Sequence, residues 1–296
     1  MTPQLCLGTA QFGLSYGITN TAGQVSEPEV AQLLHQAATR GIRWLDTAQA
    51  YGNAESVLGR HLPVGHTFQV ISKLPAQPQQ RFTAADQPFW EQAFQRSCER
   101  LGLQRLDALL LHGPADLNKP GGEWLLEWLL GLRDRGLVQR LGVSIYGAAD
   151  LDGVNPALLD LVQLPLSLYD QRLLQDGTLA RLRARGTAVH ARSLYLQGLL
   201  LTPAERWPSW VGPEVRRHHH RLEALALERG CQLIELALGF AQMQADLEAV
   251  VIGLCSCREL AELQQAWAAI PPWQQGEWHT WALQNPGILD PRNWPR

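Results

Sequence analysis

Short apolar runs alternate with longer amphipathic stretches along most of this chain. The runs read as strands: Leu5 to Thr9, Ile42 to Thr47, Thr67 to Lys73, Asp107 to His112, Arg140 to Ser144, Leu159 to Leu164, Thr187 to Ser193 and Ala249 to Gly253. The continuous Ala108-Leu-Leu-Leu111 core of the fourth fits a strand buried on both faces. Between them, residues such as Val30, Leu33, Leu34, Ala37 and Ala38 repeat at helical spacing. Ser26 and Glu29, with Pro28 in the first turn, read as a capping box opening that helix. Further helices are expected over Asn53 to Leu62, around Trp90 to Leu101, and over Glu123 to Arg135 and Thr178 to Arg185. Others follow around Val215 to Arg229, Gln232 to Met243 and Arg258 to Ile270.

One junction recurs. Arg40-Gly41, Leu101-Gly102, Arg135-Gly136, Arg185-Gly186 and Arg229-Gly230 each close an amphipathic segment, most of them just before a strand. Glycine past a helix end takes the left-handed conformation cheaply, and arginine suits the negative end of the helix dipole. Eight such strand–helix units predict an α/β fold, a closed (β/α)8 barrel forming a single domain over residues 1–296. An open dinucleotide-binding sheet would want Gly-x-Gly-x-x-Gly after its first strand, which Gly8-Thr-Ala-Gln-Phe-Gly13 does not supply.

Composition narrows the classes. The 296 residues are 46% hydrophobic and 18% charged, enough to fill a core. A net charge of −3 without a basic block speaks against nucleic acid as a partner. No apolar run approaches bilayer length, and the start of the chain lacks the pattern of a signal peptide. Five cysteines without paired spacing suit a reducing compartment. A cytoplasmic protein, monomeric or a small homo-oligomer, is expected.

In such barrels chemistry sits at the C-terminal strand ends. Strand by strand, the polar residues there are Asp46, Lys73, His112, Ser144, Gln163 and Ser193, with Tyr51 just beyond the second strand. Each alone has an ordinary explanation as a solvated charge or a turn residue. Together on one face they suggest protonation of a carbonyl. An unperturbed tyrosine, with a pKa of about 10, is a poor acid at neutral pH, but an adjacent ammonium lowers it and a carboxylate anchors the ammonium. Asp46, Lys73 and Tyr51 would form that relay, with His112 orienting the substrate oxygen. Nothing here stores a hydride, so redox chemistry requires a cofactor.

Asp46-Thr-Ala-x-x-Tyr51-Gly, Ile71-Ser-Lys73, Leu110-Leu-His112-x-Pro114 and Gly142-Val-Ser144 resemble, in order, the motifs of the aldo-keto reductase superfamily. The likeness runs from Leu7-Gly8-Thr9 to Val251-Ile252-Gly253. It implies a barrel that binds NADP(H) or NAD(H) in extended form, a small-molecule carbonyl or alcohol substrate, and Tyr51 as general acid within the tetrad Asp46, Lys73, His112, Tyr51. It also implies that Ser144 and Gln163 hold the nicotinamide carboxamide and that Gly8 and Thr9 lie near its ribose. Arg192 and Ser193 would lie beside the nicotinamide, and Gly253, Ser256 and Arg258 on the adenosine side. Three departures stand out. Ser144-Ile145 replaces the family's Ser-Asn. Arg192, with Tyr195 nearby, takes a position where some members stack an aromatic. Gly253 and Glu259 fall where NADP-preferring members carry cations, so the choice of nucleotide stays open.

Other patterns carry less. His218-His219-His220 lie on a helix, where adjacent residues diverge and cannot chelate together. Cys255-Ser-Cys257 lacks the usual Cys-x-x-Cys spacing. Tail residues 271–296, with Trp273, Trp278, Trp281 and Trp294, either pack onto the barrel or cover its substrate face; Trp207 and Trp210 offer a second wall. Two rival functions remain: a nucleotide-binding regulatory or sensor subunit with little turnover, and a lyase using Lys73 as a Schiff-base amine.

Overall fold

In the computed structural model, which describes residues 2–269 and 272–295, eight parallel strands close into a barrel. They are β1 (Gln4–Gly8), β2 (Trp44–Asp46), β3 (Gln69–Leu74), β4 (Leu106–Leu111), β5 (Val138–Ser144), β6 (Leu161–Pro165), β7 (Ala188–Arg192) and β8 (Ala249–Gly253). Each pairs with its sequence neighbour, and β8 pairs back to β1 through Gly8 opposite Gly253. The helices are α1 (Ala10–Gly13), α2 (Glu27–Thr39), α3 (Ala54–His61), α4 (Gln87–Leu101), α5 (Gly122–Asp134) and α6 (Arg172–Gln175). They continue with α7 (Thr178–Ala184), α8 (Pro213–Glu228), α9 (Leu233–Gln242), α10 (Cys257–Ala268) and α11 (Pro286–Leu289).

The expected junction is present: Gly41, Gly102, Gly136, Gly186 and Gly230 all have positive φ. The expected capping box is not. Ser26 is the N-cap of α2 but makes no side-chain cap bond, and the Glu29 carboxylate, rather than reaching back to Ser26 N, accepts from the backbone N–H of Cys257 at 2.6 Å. Leu159 and Asp160 fall outside β6, since Asn155 caps a 3₁₀ turn that runs up to them. Of the last predicted helix, Ile270 lies outside the described residues, as does Pro271 of the tail.

Period-two alternation sorts the strand residues into two cores. Leu7, Leu45, Val70, Leu109, Leu141, Val143, Val162, Val189 and Val250 face outward into the core shared with the helices. Cys6, Trp44, Ile71, Ala108, Leu110, Leu161 and Ala249 form a separate inner cluster. Below the site the barrel is plugged by a polar group. Glu248 pairs with Arg140 (2.9 Å) and with His190 Nε2 (2.8 Å), and Arg140 lies 4.5 Å from the centroid of the Trp44 ring. Burial raises the Glu248 pKa, but His190 and Arg140 outweigh it and bring it down to about 2.

Two residues further on from Cys6, Trp44, Ile71, Leu110, Gly142, Leu161, His190 and Val251 stand Gly8, Asp46, Lys73, His112, Ser144, Gln163, Arg192 and Gly253. The site residues are therefore the top inward layer of the barrel. Gly142 lies one layer lower, and a Cβ there would sit 2.0 Å from the Leu161 carbonyl oxygen and 2.6 Å from Leu110 Cδ2. Gly142→Ala is expected to lower the unfolding free energy by about 1–3 kcal/mol or more through overpacking, read from urea denaturation.

Candidate active site

Tyr51 is delivered by the turn between β2 and α3, and that turn is held by backbone contact. Gly52 has φ 56°, and a Cβ there would sit 2.3 Å from the Gly13 oxygen; one on Gly13 would sit 1.8 Å from the Tyr51 oxygen. Only glycine at both positions allows the segments after β1 and β2 to approach this closely. The Tyr51 ring thus stands over the barrel mouth, edge-on to His112 with ring centroids 5.8 Å apart.

Beneath it, Lys73 is fully buried. Its Nζ donates to both Asp46 oxygens (2.8 and 2.7 Å), to the Thr47 carbonyl (2.9 Å) and, more loosely, to Tyr51 Oη (3.4 Å). Burial works against the ammonium, but Asp46 and Tyr51 outweigh it and hold the Lys73 pKa above its usual value. A Schiff-base amine must lose that proton, so the lyase reading has no support in this geometry. Tyr51 departs from the expected direction. Burial raises its pKa by more than Lys73 lowers it, so at rest the group is a firmly protonated phenol. His112 is pushed down to about 4 by burial and by the Lys73 charge, leaving a neutral imidazole at physiological pH.

Gln163, expected only as a carboxamide contact, also donates from Nε2 to Asp46 Oδ1 at 2.7 Å. This leaves its Oε1 buried without a partner, and the Ser144 hydroxyl is likewise unpartnered. The two residues are register partners on β5 and β6. An unpaired acceptor beside a hydroxyl suits a ligand carboxamide, so these residues fit the nicotinamide the resemblance implies.

A cleft of about 660 Å³ runs from Tyr51, His112, Asp46 and Gln163 past Gly8, Thr9 and Gln11 to Gly253, Glu259 and Glu262. Its sides are the loop after β1 (Tyr16 to Ala22) and the loop after β7, which touch where Thr19 Oγ1 donates to the Gln197 carbonyl (3.3 Å). The latter loop is strained, with Ser193, Leu196 and Gln197 all at positive φ. Arg192 and Ser193 both line the cleft. Arg192 donates to the Ile145 carbonyl (2.8 Å) and to Ser193 Oγ (3.2 Å), and its guanidinium lies 4.2 Å from the Tyr146 ring centroid. Arg292, from the tail, covers the same ring at 3.8 Å.

Of the expected nucleotide contacts, Thr9 is on the cleft wall, with its hydroxyl donating to the Asp46 carbonyl (3.0 Å). Ser256 caps α10, accepting from Glu259 N, and Arg258 turns to Glu262 (2.8 Å); neither is on the cleft wall. The aromatic-wall reading of the tryptophans gives way to packing. Trp273 donates to the Leu236 carbonyl, Trp278 packs on Phe240, Trp281 on His218, and Trp294 lies tilted against Trp210, while Trp207 is buried. The three adjacent histidines diverge: His218 faces the Trp281 carbonyl, His219 faces Tyr169 Oη, and His220 faces Glu223. Gln11, Tyr16, Tyr146 and Glu262 were not anticipated. Tyr146 alone carried a signal, two places beyond Ser144 at the end of β5.

Comparison with known proteins identifies the family. A family model described as the Aldo/keto reductase family matches residues 4–281. An aldo-keto reductase of Mycolicibacterium smegmatis is 34% identical over 137 residues, 45% of each chain. One from Mycobacterium tuberculosis is 32% identical over 160 residues, 50% of this chain and 53% of the relative. The match thus spans about half the length of these curated relatives. The aldo-keto reductase AKR11C1 from Bacillus halodurans, in its holo form, superposes with a TM-score of 0.74 at 20% identity, covering 94% of this chain and 90% of that one. At that identity the likeness concerns the fold.

Two outcomes follow from the electrostatics. Lys73→Met strands a buried carboxylate and is expected to cost about 3–5 kcal/mol of stability, with Lys73→Met/Asp46→Asn recovering part of it in a double-mutant cycle. Because His112 titrates near 4, it should contribute no ionisation between pH 5 and about 8 to kcat/KM for a carbonyl substrate. A limb in that range that disappears in His112→Gln would show the imidazole to be charged.

Proposed function

Because the chain belongs to the aldo/keto reductase family, we propose that it is an NAD(P)(H)-dependent oxidoreductase interconverting an aldehyde or ketone and an alcohol. The observation that carries this is the buried Asp46–Lys73–Tyr51 chain, closed over by a neutral His112, at one end of a dinucleotide-sized cleft. When bound, the nicotinamide supplies or accepts the hydride, its carboxamide held by Ser144 and Gln163.

Tyr51 donates its proton to the carbonyl oxygen. Its pKa is high in the resting site, so it does not ionise ahead of the reaction. As the phenol gives up its proton, negative charge develops beside the Lys73 ammonium, which already points a hydrogen at that oxygen. This charge is worth more in a site where Lys73 is wholly buried than it would be in water. Asp46 keeps the ammonium charged and aimed, and Gln163 and Thr47 leave little freedom around the pair. His112 orients the carbonyl oxygen by hydrogen bonding without competing as an acid. Arg192, unpaired with any carboxylate among the described ion pairs, and Tyr146 form the substrate rim, backed by Arg292 from the tail.

Tyr51→Phe is expected to lower kcat by about 10²–10⁴-fold on any carbonyl substrate while NAD(P)H still binds, measured by stopped-flow turnover and fluorescence titration. Retention of full turnover would remove Tyr51 from its role. Tight nucleotide binding by the unaltered protein, with no turnover across a broad carbonyl and alcohol panel, would support the sensor reading instead.

A further inference from the structure

The cleft is electrically lopsided. At its reacting end Arg192 contributes a cation. At the other end, where β8 passes into α10, the wall is Gly253, Leu254, Cys255, Glu259, Glu262 and Leu263: two carboxylates and, among the described lining residues, no lysine or arginine. With the carboxamide seated between Ser144 and Gln163, the remainder of a dinucleotide has the rest of this cleft to occupy, and that leads past Gln11 and Gly253 to these carboxylates.

The start of a helix ordinarily offers free N–H groups and a positive dipole end to an anion. At α10 two of these groups, Cys257 N and Glu259 N, and the N–H of Cys255 just ahead of the helix are already taken by the protein. Glu259 Oε2 accepts from Cys255 N (2.7 Å), Glu29 Oε1 from Cys257 N (2.6 Å) and Ser256 Oγ from Glu259 N (3.2 Å). The nearby cation, Arg258, is turned into solvent and held by Glu262 at 2.8 Å. A phosphate dianion arriving here would meet carboxylates where it needs donors. The unsatisfied polar atoms of the cleft wall nearby are uncharged, Gln11 Oε1 and Tyr195 Oη, and suit hydroxyl groups. A ribose with a free 2′-hydroxyl can donate to a carboxylate, a pairing also used by NAD-binding sheets.

We infer that this chain selects NAD(H) over NADP(H), with Glu259 and Glu262 as the discriminating residues. The inference rests on the nicotinamide reading of the site, but it is tested by binding alone. The unaltered protein is titrated separately with NADH and NADPH, following nicotinamide fluorescence at low ionic strength. NADH is expected to bind at least about tenfold more tightly. In Glu259→Gln/Glu262→Gln the amide of residue 259 can still accept from Cys255 N, so the turn is kept. NADPH should then tighten several-fold while NADH does not. Salt near 0.15 M, by screening exposed charge, should narrow the preference of the unaltered protein more than that of the variant. Equal or tighter binding of NADPH by the unaltered protein overturns the inference. So does a preference that the double variant leaves unmoved, circular dichroism showing it folded. Failure of both nucleotides to bind strikes the nicotinamide reading itself.

Discussion

A fully buried ammonium is the constraint around which this molecule is arranged. Lys73 has no exposed surface, and such a charge is tolerable only where acceptors replace its lost water. Asp46 supplies two of them and Thr47 a third, so β2 and β3 must keep their register, with Asp46 opposite Ile71. Gln163 braces the carboxylate from the far side of the barrel. The remaining direction around Nζ points to Tyr51, so satisfying the charge also aims it at the Tyr51 phenol.

The layers below and above serve that arrangement differently. Below, Trp44, Arg140, His190 and Glu248 pack together within the barrel. Above, Gly13 and Gly52 bring two loops into backbone contact and hold Tyr51 over the mouth. The cleft then extends sideways across β1 and β8, and Gln163 Oε1 at one end of it and Gln11 Oε1 further along are polar atoms without a protein partner.

The strand count, the strand-end residues and the tetrad could be read from the chain because each rests on a short-range rule. Alternation with period two places Asp46, Lys73, His112 and Ser144 on one face once the strands are recognised, and glycine after an amphipathic run marks a helix end. Position in the chain said nothing of how burial and charge would balance. Tyr51 was expected with a lowered pKa, yet desolvation raises it, a quantity set by everything packed around the ring. The capping box failed for a related reason. Glu29 had a local partner in sequence and took a distant one, Cys257, because α2 and α10 are neighbours around the barrel.

The sequence alone determined the architecture and which side chains gather at the barrel mouth, since both follow from periodicity and from residue chemistry at strand ends. Only the tertiary structure decided what those groups are when at rest: a protonated phenol, a neutral imidazole and an ammonium with every near acceptor assigned. It also decided that the tryptophans are packing, and that carboxylates already occupy the start of α10. Those outcomes depend on contacts between residues far apart in the chain, where desolvation and Coulomb energy are summed over neighbours that no local pattern specifies.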